Sequence, residues 1–192
     1  GVAATVAQVV DGLRQRGHQL QLIRPRQARN EAPPTGPAEA LVLTAGMPIP
    51  RYPQLRLGLP ARRALQKLWS RQRPDVVHVH NTWPLLSPSV FSTCQAAGVP
   101  VVQTLHNFRL ACPQAMFLRD GRVCTDCLGR TPWPAIEHAC YRQSRAQTAV
   151  LAGHLVLHRQ LGTWQHRVDR FIALNAFVAI NCCALGCPRN GC

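Results

Sequence analysis

Two short apolar runs rich in β-branched residues, with a helical stretch between them, dominate the hydrophobic pattern of this chain. The first run covers residues 75–80 and the second covers residues 99–105. Between them, residues 87–97 have helical character and end at Gly98. Because short apolar runs that alternate with helices are typical of a parallel sheet, we predict a strand–helix–strand unit here.

The same alternation extends along the rest of the chain. We predict further helices at residues 2–16, 61–71 and, for the most part, 135–163, and further strands at residues 19–23, 40–44 and 170–174. Residues 46–60 carry four prolines and residues 108–134 carry three cysteines, and both are predicted to be irregular. A parallel sheet covered by helices would place a strand before the first helix. No such strand precedes residue 2, so we expect the first strand to be missing.

Charge adds more to this picture than composition does. The apolar fraction of 46% is ordinary, but 22 Lys and Arg against 8 Asp and Glu give a net charge of +14. Such a charge favours anions: phosphates, nucleotides or an anionic membrane surface. The arginines are scattered and form no basic stripe with aromatic residues, so nucleic acid is an unlikely partner on this pattern.

With no apolar run of the ~20 residues that a spanning helix needs, and no signal peptide, we expect a cytoplasmic protein.

Nine cysteines form the second unusual feature of the composition. Without a secretory signal they argue against a disulfide scaffold and for reduced thiols or a metal site. Cys124 and Cys127 form a C-x-x-C pair, with Cys112 twelve residues before it and Cys140 thirteen residues after it. This spacing fits a structural zinc site, which would pin the long loop to the sheet without acting in catalysis. A redox pair and plain buried thiols are the alternatives.

Histidine followed by asparagine ends each strand of the central unit. The pairs are His80-Asn81 and His106-Asn107. Because ligands of open parallel sheets bind outside the carboxyl ends of the strands, these two ends are the first place to expect chemistry.

Three stretches carry a resemblance to a known family. They are GVAATVAQVVDGLRQRGHQLQLIRPRQ at residues 1–27, RPDVVHVHNTWPLLSPSV at 73–90 and GVPVVQTLHNFRLACP at 98–113, supported by FLRDGRVCTDCLGR at 117–130 and VDRFIAL at 168–174. In this order and spacing the chain resembles the N-terminal domain of family 4 glycosyltransferases, which have the GT-B architecture. The resemblance implies an incomplete Rossmann-like α/β fold. It also implies sugar transfer from a nucleotide-sugar donor, usually with retention at the anomeric carbon, and no cofactor required for catalysis.

The resemblance also assigns roles to the strand ends. His106 occupies the position of the family's active-site histidine, where it could donate to a sugar hydroxyl or to developing charge. Packing of the strand end is the structural alternative. His80, Asn81 and Asn107 are then expected to line the acceptor pocket.

Two further residues are candidates for anion binding by resemblance. Gly1 corresponds to the end of the family's glycine-rich loop, which lets backbone amides approach a phosphate at a helix N-terminus. Arg109 could meet phosphate or acceptor, or it could be an ordinary solvated arginine.

The family's second domain holds the nucleotide sugar, and this sequence ends before it. We therefore expect residues 1–175 to be the acceptor-side domain of a glycosyltransferase fragment that is inactive alone, and residues 176–192 to be a frameshifted or disordered tail. The acceptor would be a glycan or a lipid-linked sugar of polysaccharide biosynthesis, with peripheral contact at the inner face of the membrane. The rival hypothesis is a non-enzymatic module that is zinc-stapled or binds anions.

Overall fold

The computed structural model describes residues 1–25, 41–43, 47–49, 52–57, 59–82 and 87–181. Its helices are α1 (Val2–Gln15), α2 (Leu59–Trp69), α3 (Ser89–Ala96), α4 (Trp133–Glu137), α5 (Arg145–Gln160), α6 (Thr163–Arg167) and α7 (Ala176–Asn181). Its strands are β1 (Ile23–Pro25), β2 (Leu41–Leu43), β3 (Met47–Ile49), β4 (Tyr52–Leu57), β5 (Val77–Val79), β6 (Val101–Leu105), β7 (Leu118–Arg119), β8 (Arg122–Val123) and β9 (Arg170–Ala173). Strands and helices alternate from α2 to β6 and again from α6 to α7, whereas β1 to β4, β6 to β8 and α4 to α6 are runs of one kind of element.

A three-stranded parallel sheet, in the order β5-β6-β9, contains both strands of the predicted central unit. Val77 lies opposite Val101 in β6, and Leu105 lies opposite Ala173 in β9. The Asp169 carboxylate accepts a hydrogen bond from the Val101 amide at 2.7 Å, which fastens the start of β9 to the start of β6. This parallel sheet with its flanking helices confirms the predicted incomplete Rossmann-like α/β fold.

The chain divides into two compact units, which are described separately. The first unit comprises Gly1–Pro74 and Thr82–Ala97, and the second comprises Asp75–Asn81 and Gly98–Cys192. In the first unit α2 packs against α3, and β1 pairs with β2 in parallel. The buried apolar residues of α2 and α3 include Ala61, Leu65, Trp69, Val90, Phe91 and Cys94. Helix α1 has no fully buried residue, although its apolar spacing is as predicted.

The core of the second unit lies between the sheet strands and the helices that follow them. Its buried apolar side chains include Val79, Val101, Leu105, Leu151, Leu155, Trp164 and Phe171. Helix α5 packs against both α4 and α6. Its N-cap, Ser144, accepts a hydrogen bond from the Gln147 amide at 3.3 Å, which satisfies one of the free amides of the first turn.

Three predictions about local structure are wrong in their detail. The strand expected at residues 19–23 lies instead at Ile23–Pro25. Within the range 46–60, predicted to be irregular, the described residues Met47–Ile49 and Tyr52–Leu57 form the antiparallel pair β3 and β4. Prolines are tolerated in such a two-stranded ribbon, where one side of each strand needs no ladder hydrogen bond. The long loop at 108–134 contains a second antiparallel pair, β7 and β8, and the first residues of α4.

Gly98 ends α3 as predicted, since it has φ of 63°, a left-handed conformation that favours glycine. At the other end of the chain, residues 176–181 form α7, in which Val178 is buried. Residues 182–192 lie outside the described part of the chain, and the frameshift in this tail stays a prediction. Within the described residues, no helix is long and apolar enough to cross a membrane.

Candidate active site

The carboxyl ends of β5 and β6 bring two predicted histidines into contact. His80 follows β5 directly and His106 follows β6 directly, and the two strands are parallel neighbours. A hydrogen bond of 2.9 Å joins His80 Nδ1 to His106 Nε2, and the ring centroids are 5.2 Å apart. The prediction that the two strand ends share one place in the fold is therefore confirmed.

A third histidine extends this pair along the sheet. His78 lies two residues before His80 and thus on the same face of the strand, and their ring centroids are 4.2 Å apart. His78 Nε2 forms a hydrogen bond of 2.8 Å with the hydroxyl of Thr104, a buried residue of β6. We call His78, His80 and His106 the histidine cluster.

The histidine cluster is neutral at pH 7. Burial, followed by the charges of His78 and His106, lowers the pKa of His80 to about 4. Burial also lowers the pKa of His78 and of His106. A neutral imidazole has one nitrogen that donates and one that accepts, so in each hydrogen bond between rings one partner donates and the other accepts.

The asparagines that follow the two histidines differ in their surroundings. Asn107 is half-buried, and its side-chain oxygen accepts a hydrogen bond from the Arg109 amide at 3.0 Å. This turn redirects the chain immediately after His106. Asn81 is exposed at the end of β5. Their predicted contacts with an acceptor stay predictions, and Asn107 has a structural role in addition.

The side chain of Arg109 is partly buried within the second unit, to which it belongs. Its guanidinium donates to the carbonyl of Pro113 and lies 5.6 Å from the ring centroid of Tyr141. Burial lowers the pKa of this guanidinium. The side chain is thus not an ordinary solvated arginine, and its predicted contact with phosphate or acceptor would require it to leave these partners.

Gly1 belongs to the first unit, where it is the N-cap of α1. Its carbonyl accepts hydrogen bonds from the amides of Ala4 at 3.0 Å and Thr5 at 3.2 Å. A helix start of this kind offers free amides to an anion, and phosphate binding at Gly1 stays a prediction.

Four cysteines of the second unit line one small cavity. Cys112, Cys124, Cys127 and Cys140 all line it, and none of them forms a disulfide. Burial raises the pKa of the Cys127 and Cys140 thiols. The grouping expected from the spacing is therefore present. In the described chain, however, no three His, Cys, Asp or Glu side chains are already arranged to hold a metal ion.

Two polar residues near the strand ends were not identified from the sequence. Thr104 carries the hydrogen bond to His78, and its place two residues before His106 was a usable signal, because alternation puts the two on one face. Asn175 follows the third strand, β9, just as Asn81 and Asn107 follow the first two. Its side-chain oxygen accepts a hydrogen bond from the Val178 amide at 2.9 Å at the start of α7.

An open parallel α/β sheet with polar side chains beyond the carboxyl ends of its strands defines a class of proteins that bind their ligands at that edge. A family model described as glycosyl transferase 4-like domain matches residues 1–190. The chain therefore belongs to the family of glycosyl transferase 4-like domains, which confirms the resemblance drawn from the sequence. No significant match to a curated protein or to a solved structure accompanies the family match.

Proposed function

We propose that this chain supplies the acceptor side of a retaining glycosyltransferase, which transfers a sugar from a nucleotide-sugar donor to a glycan or lipid-linked acceptor. Membership of the glycosyl transferase 4-like family supports transfer of a sugar in general. The observation that carries the proposal is the hydrogen bond between His80 and His106 at the carboxyl edge of the sheet. It holds a neutral imidazole at the edge where such sheets bind their ligands.

His106 is the residue that we place in contact with the sugar. Its Nε2 is engaged by His80, so Nδ1 is the ring nitrogen that we assign to the contact with substrate. When His80 Nδ1–H donates to His106 Nε2, the His106 Nδ1 carries the proton and can donate it to a sugar hydroxyl. A neutral donor adds no positive charge beside a sugar that itself develops positive charge in the transition state.

His80 acts as a positioning residue in this proposal. It selects the tautomer and the ring orientation of His106, as a hydrogen-bond partner does for any catalytic imidazole. Thr104 extends the same arrangement, because its hydrogen bond fixes His78, whose ring packs against His80. The neutral state of the cluster follows from burial, which lowers the pKa of all three rings.

Donor binding is assigned to a second domain in this proposal, since two domains must close around donor and acceptor for transfer. We therefore expect no transfer by this chain alone. The cytoplasm, at the inner face of the membrane, is the location that we propose for the reaction. The net charge of +14 suits an anionic membrane surface and a phosphate-linked acceptor, and polysaccharide biosynthesis would use both.

Acceptor binding tests the proposal on the full chain. Histidine ring resonances are followed by NMR while glycan and lipid-linked sugar acceptors are added. We expect the His106 and His80 signals to shift and the signal of His166, an exposed histidine of α6, to stay in place. The His106→Ala variant should lose binding, whereas the matched His166→Ala variant should keep it. Unchanged His106 signals with every acceptor would contradict the proposal.

The rival is a non-enzymatic module, and the cysteines around one cavity are the observation that favours it. If the chain bound a metal ion stoichiometrically and bound none of the sugar acceptors, that result would support the rival. Turnover of a nucleotide sugar by this chain alone would contradict both the rival and the expectation that a second domain is needed.

A further inference from the structure

The four cysteines around the cavity come from three separate turns of the loop that we call the cysteine loop, residues 108–140. Cys124 is held by its amide, which donates to the Phe117 carbonyl at 2.8 Å. Cys140 is held in the same way by the Ala135 carbonyl at 3.0 Å. Cys112 lies more than twenty residues from Cys140 along the chain, yet both line the same space. Backbone turns therefore bring together thiols from three separate segments of the sequence.

The cavity that these thiols line is about 10 Å³. This volume holds about one water-sized sphere, so the space suits a single ion and excludes an organic ligand. Four thiols are the soft donors that zinc takes in closed structural sites, often through a C-x-x-C pair such as Cys124 and Cys127.

Arginines interact with the cysteines of this cavity, and one of them, Arg119, lines it. Each cysteine of the set interacts electrostatically with one: Cys112 with Arg109, Cys124 and Cys140 with Arg119, and Cys127 with Arg159. Zinc held by four thiolates carries two negative charges in total. These positive side chains compensate such a charge, whereas they would give neutral buried thiols no comparable benefit.

The backbone of the cysteine loop is strained. Of the seven described non-glycine residues with positive φ, six lie in or directly after this loop: Ala115, Phe117, Asp120, Ala139, Arg142 and Gln143. Such conformations persist only where the surrounding structure over-determines them. Regular structure around the cavity is short: the two-residue strands β7 and β8 and the five-residue helix α4. A bound ion would add a further constraint to the hydrogen bonds that Arg159 makes with this loop.

We propose that Cys112, Cys124, Cys127 and Cys140 bind one Zn²⁺ ion, which holds the cysteine loop in its folded form. No three metal-ligating side chains in the described residues are arranged as a ligand set, so the four thiols must rotate toward the cavity as zinc enters. Four S–H bonds break, four Zn–S bonds form, and four protons pass to solvent. No electron is transferred, and the site is independent of the proposed sugar transfer.

Metal analysis of the full chain, reduced and reconstituted with ZnSO₄, tests the proposal. We expect one zinc per chain after dialysis, and release of about four protons on binding at a pH where the thiols are protonated. Substitution of Co²⁺ for zinc should give the visible absorption of a tetrahedral thiolate site. The cobalt spectrum and the proton count use the unaltered chain, so they hold even where a cysteine variant fails to fold.

Cysteine variants locate the site. Cys127→Ser should lower zinc affinity by more than the roughly 10–100-fold that loss of a ligand's hydrogen-bond partner costs. The matched control replaces Cys182, Cys183, Cys187 and Cys192 with serine and should keep one zinc, because these cysteines lie outside the proposed set.

Three results would overturn the proposal. The reduced full chain could bind no zinc. Zinc could be lost from the control and kept by Cys127→Ser, which would place it in the C-terminal segment. Mass spectrometry could find a Cys124–Cys127 disulfide in protein that rejects zinc after reduction, which would identify a redox pair.

Discussion

The histidine cluster and the cysteine loop lie in the same unit and are held by different kinds of bonds. Backbone ladders place the cluster, because β5, β6 and β9 pair in parallel over their whole described lengths. In the cysteine loop the longest-range bonds come from side chains. Arg159 on α5 donates to the carbonyls of Arg130, Leu110 and Ala111, which are 29 to 49 residues away. The histidine cluster is therefore held in place by many backbone hydrogen bonds of the sheet, whereas the cysteine loop depends on a few side-chain hydrogen bonds.

The largest effect is therefore expected from Arg159→Ala. This change leaves three carbonyls of the cysteine loop without their donor, and two of them belong to the buried residues Leu110 and Ala111. We expect a loss of about 3 kcal/mol in the free energy of unfolding, measured by urea denaturation.

Arg122→Ala is the matched control, because Arg122 is exposed on β8. It should change stability by less than about 0.5 kcal/mol. Equal losses in the two variants would show that the arginine of α5 has no special part in holding the loop.

A smaller effect is expected where one bond of the sheet is removed. Asp169→Ala deletes the acceptor of the Val101 amide, but the ladder between β6 and β9 remains. We expect a loss of about 1.5 kcal/mol by urea denaturation, and a smaller loss for Asp169→Asn, which keeps an oxygen acceptor. A loss above that of Arg159→Ala would reverse the comparison between the two regions.

Acid should weaken the histidine cluster by the smallest amount. The pKa of His80 falls from its ordinary value of 6.5 to about 4 on folding, so the unfolded chain binds more protons between these values. Stability should then fall as the pH drops from 6.5 toward 4. Since water reaches these half-buried rings and screens the penalty, we expect about 1 kcal/mol between pH 7 and pH 5.

His80→Gln is the variant that assigns this pH dependence. Glutamine keeps a hydrogen-bonding side chain but cannot be protonated in this range, so the stability profile should become flatter. An unchanged slope in His80→Gln would mean that other histidines, such as His154 with its pKa of about 4, carry the whole effect.

The sheet and its histidines could be predicted because their positions follow from local pattern. Two β-branched runs joined through a helix imply parallel neighbours, and parallel neighbours bring the residues after them together. The contact between His80 and His106 followed from that reasoning. Its chemistry did not, because the tautomers and the lowered pKa of each ring depend on burial, which the pattern does not specify.

The cysteine loop could be predicted in composition and not in geometry. Spacing suggested that its four cysteines act together, and they do line one cavity. The pairs β3–β4 and β7–β8 were missed because prolines and short polar strands weaken the alternation that signals a strand. Arg109 was expected to face solvent or ligand. Only the tertiary structure shows that its guanidinium donates to the Pro113 carbonyl and lies over the ring of Tyr141.

The two-residue period of β5 has a consequence for how this edge of the sheet can change. His78 and His80 share one face because they are two residues apart, and Val79 between them is buried on the other face. Deleting or inserting one residue before His78 would exchange these faces, exposing a valine and burying two imidazoles. A substitution in β5 therefore keeps the two histidines on their face of the sheet, whereas a one-residue insertion or deletion before His78 moves both of them to the other face.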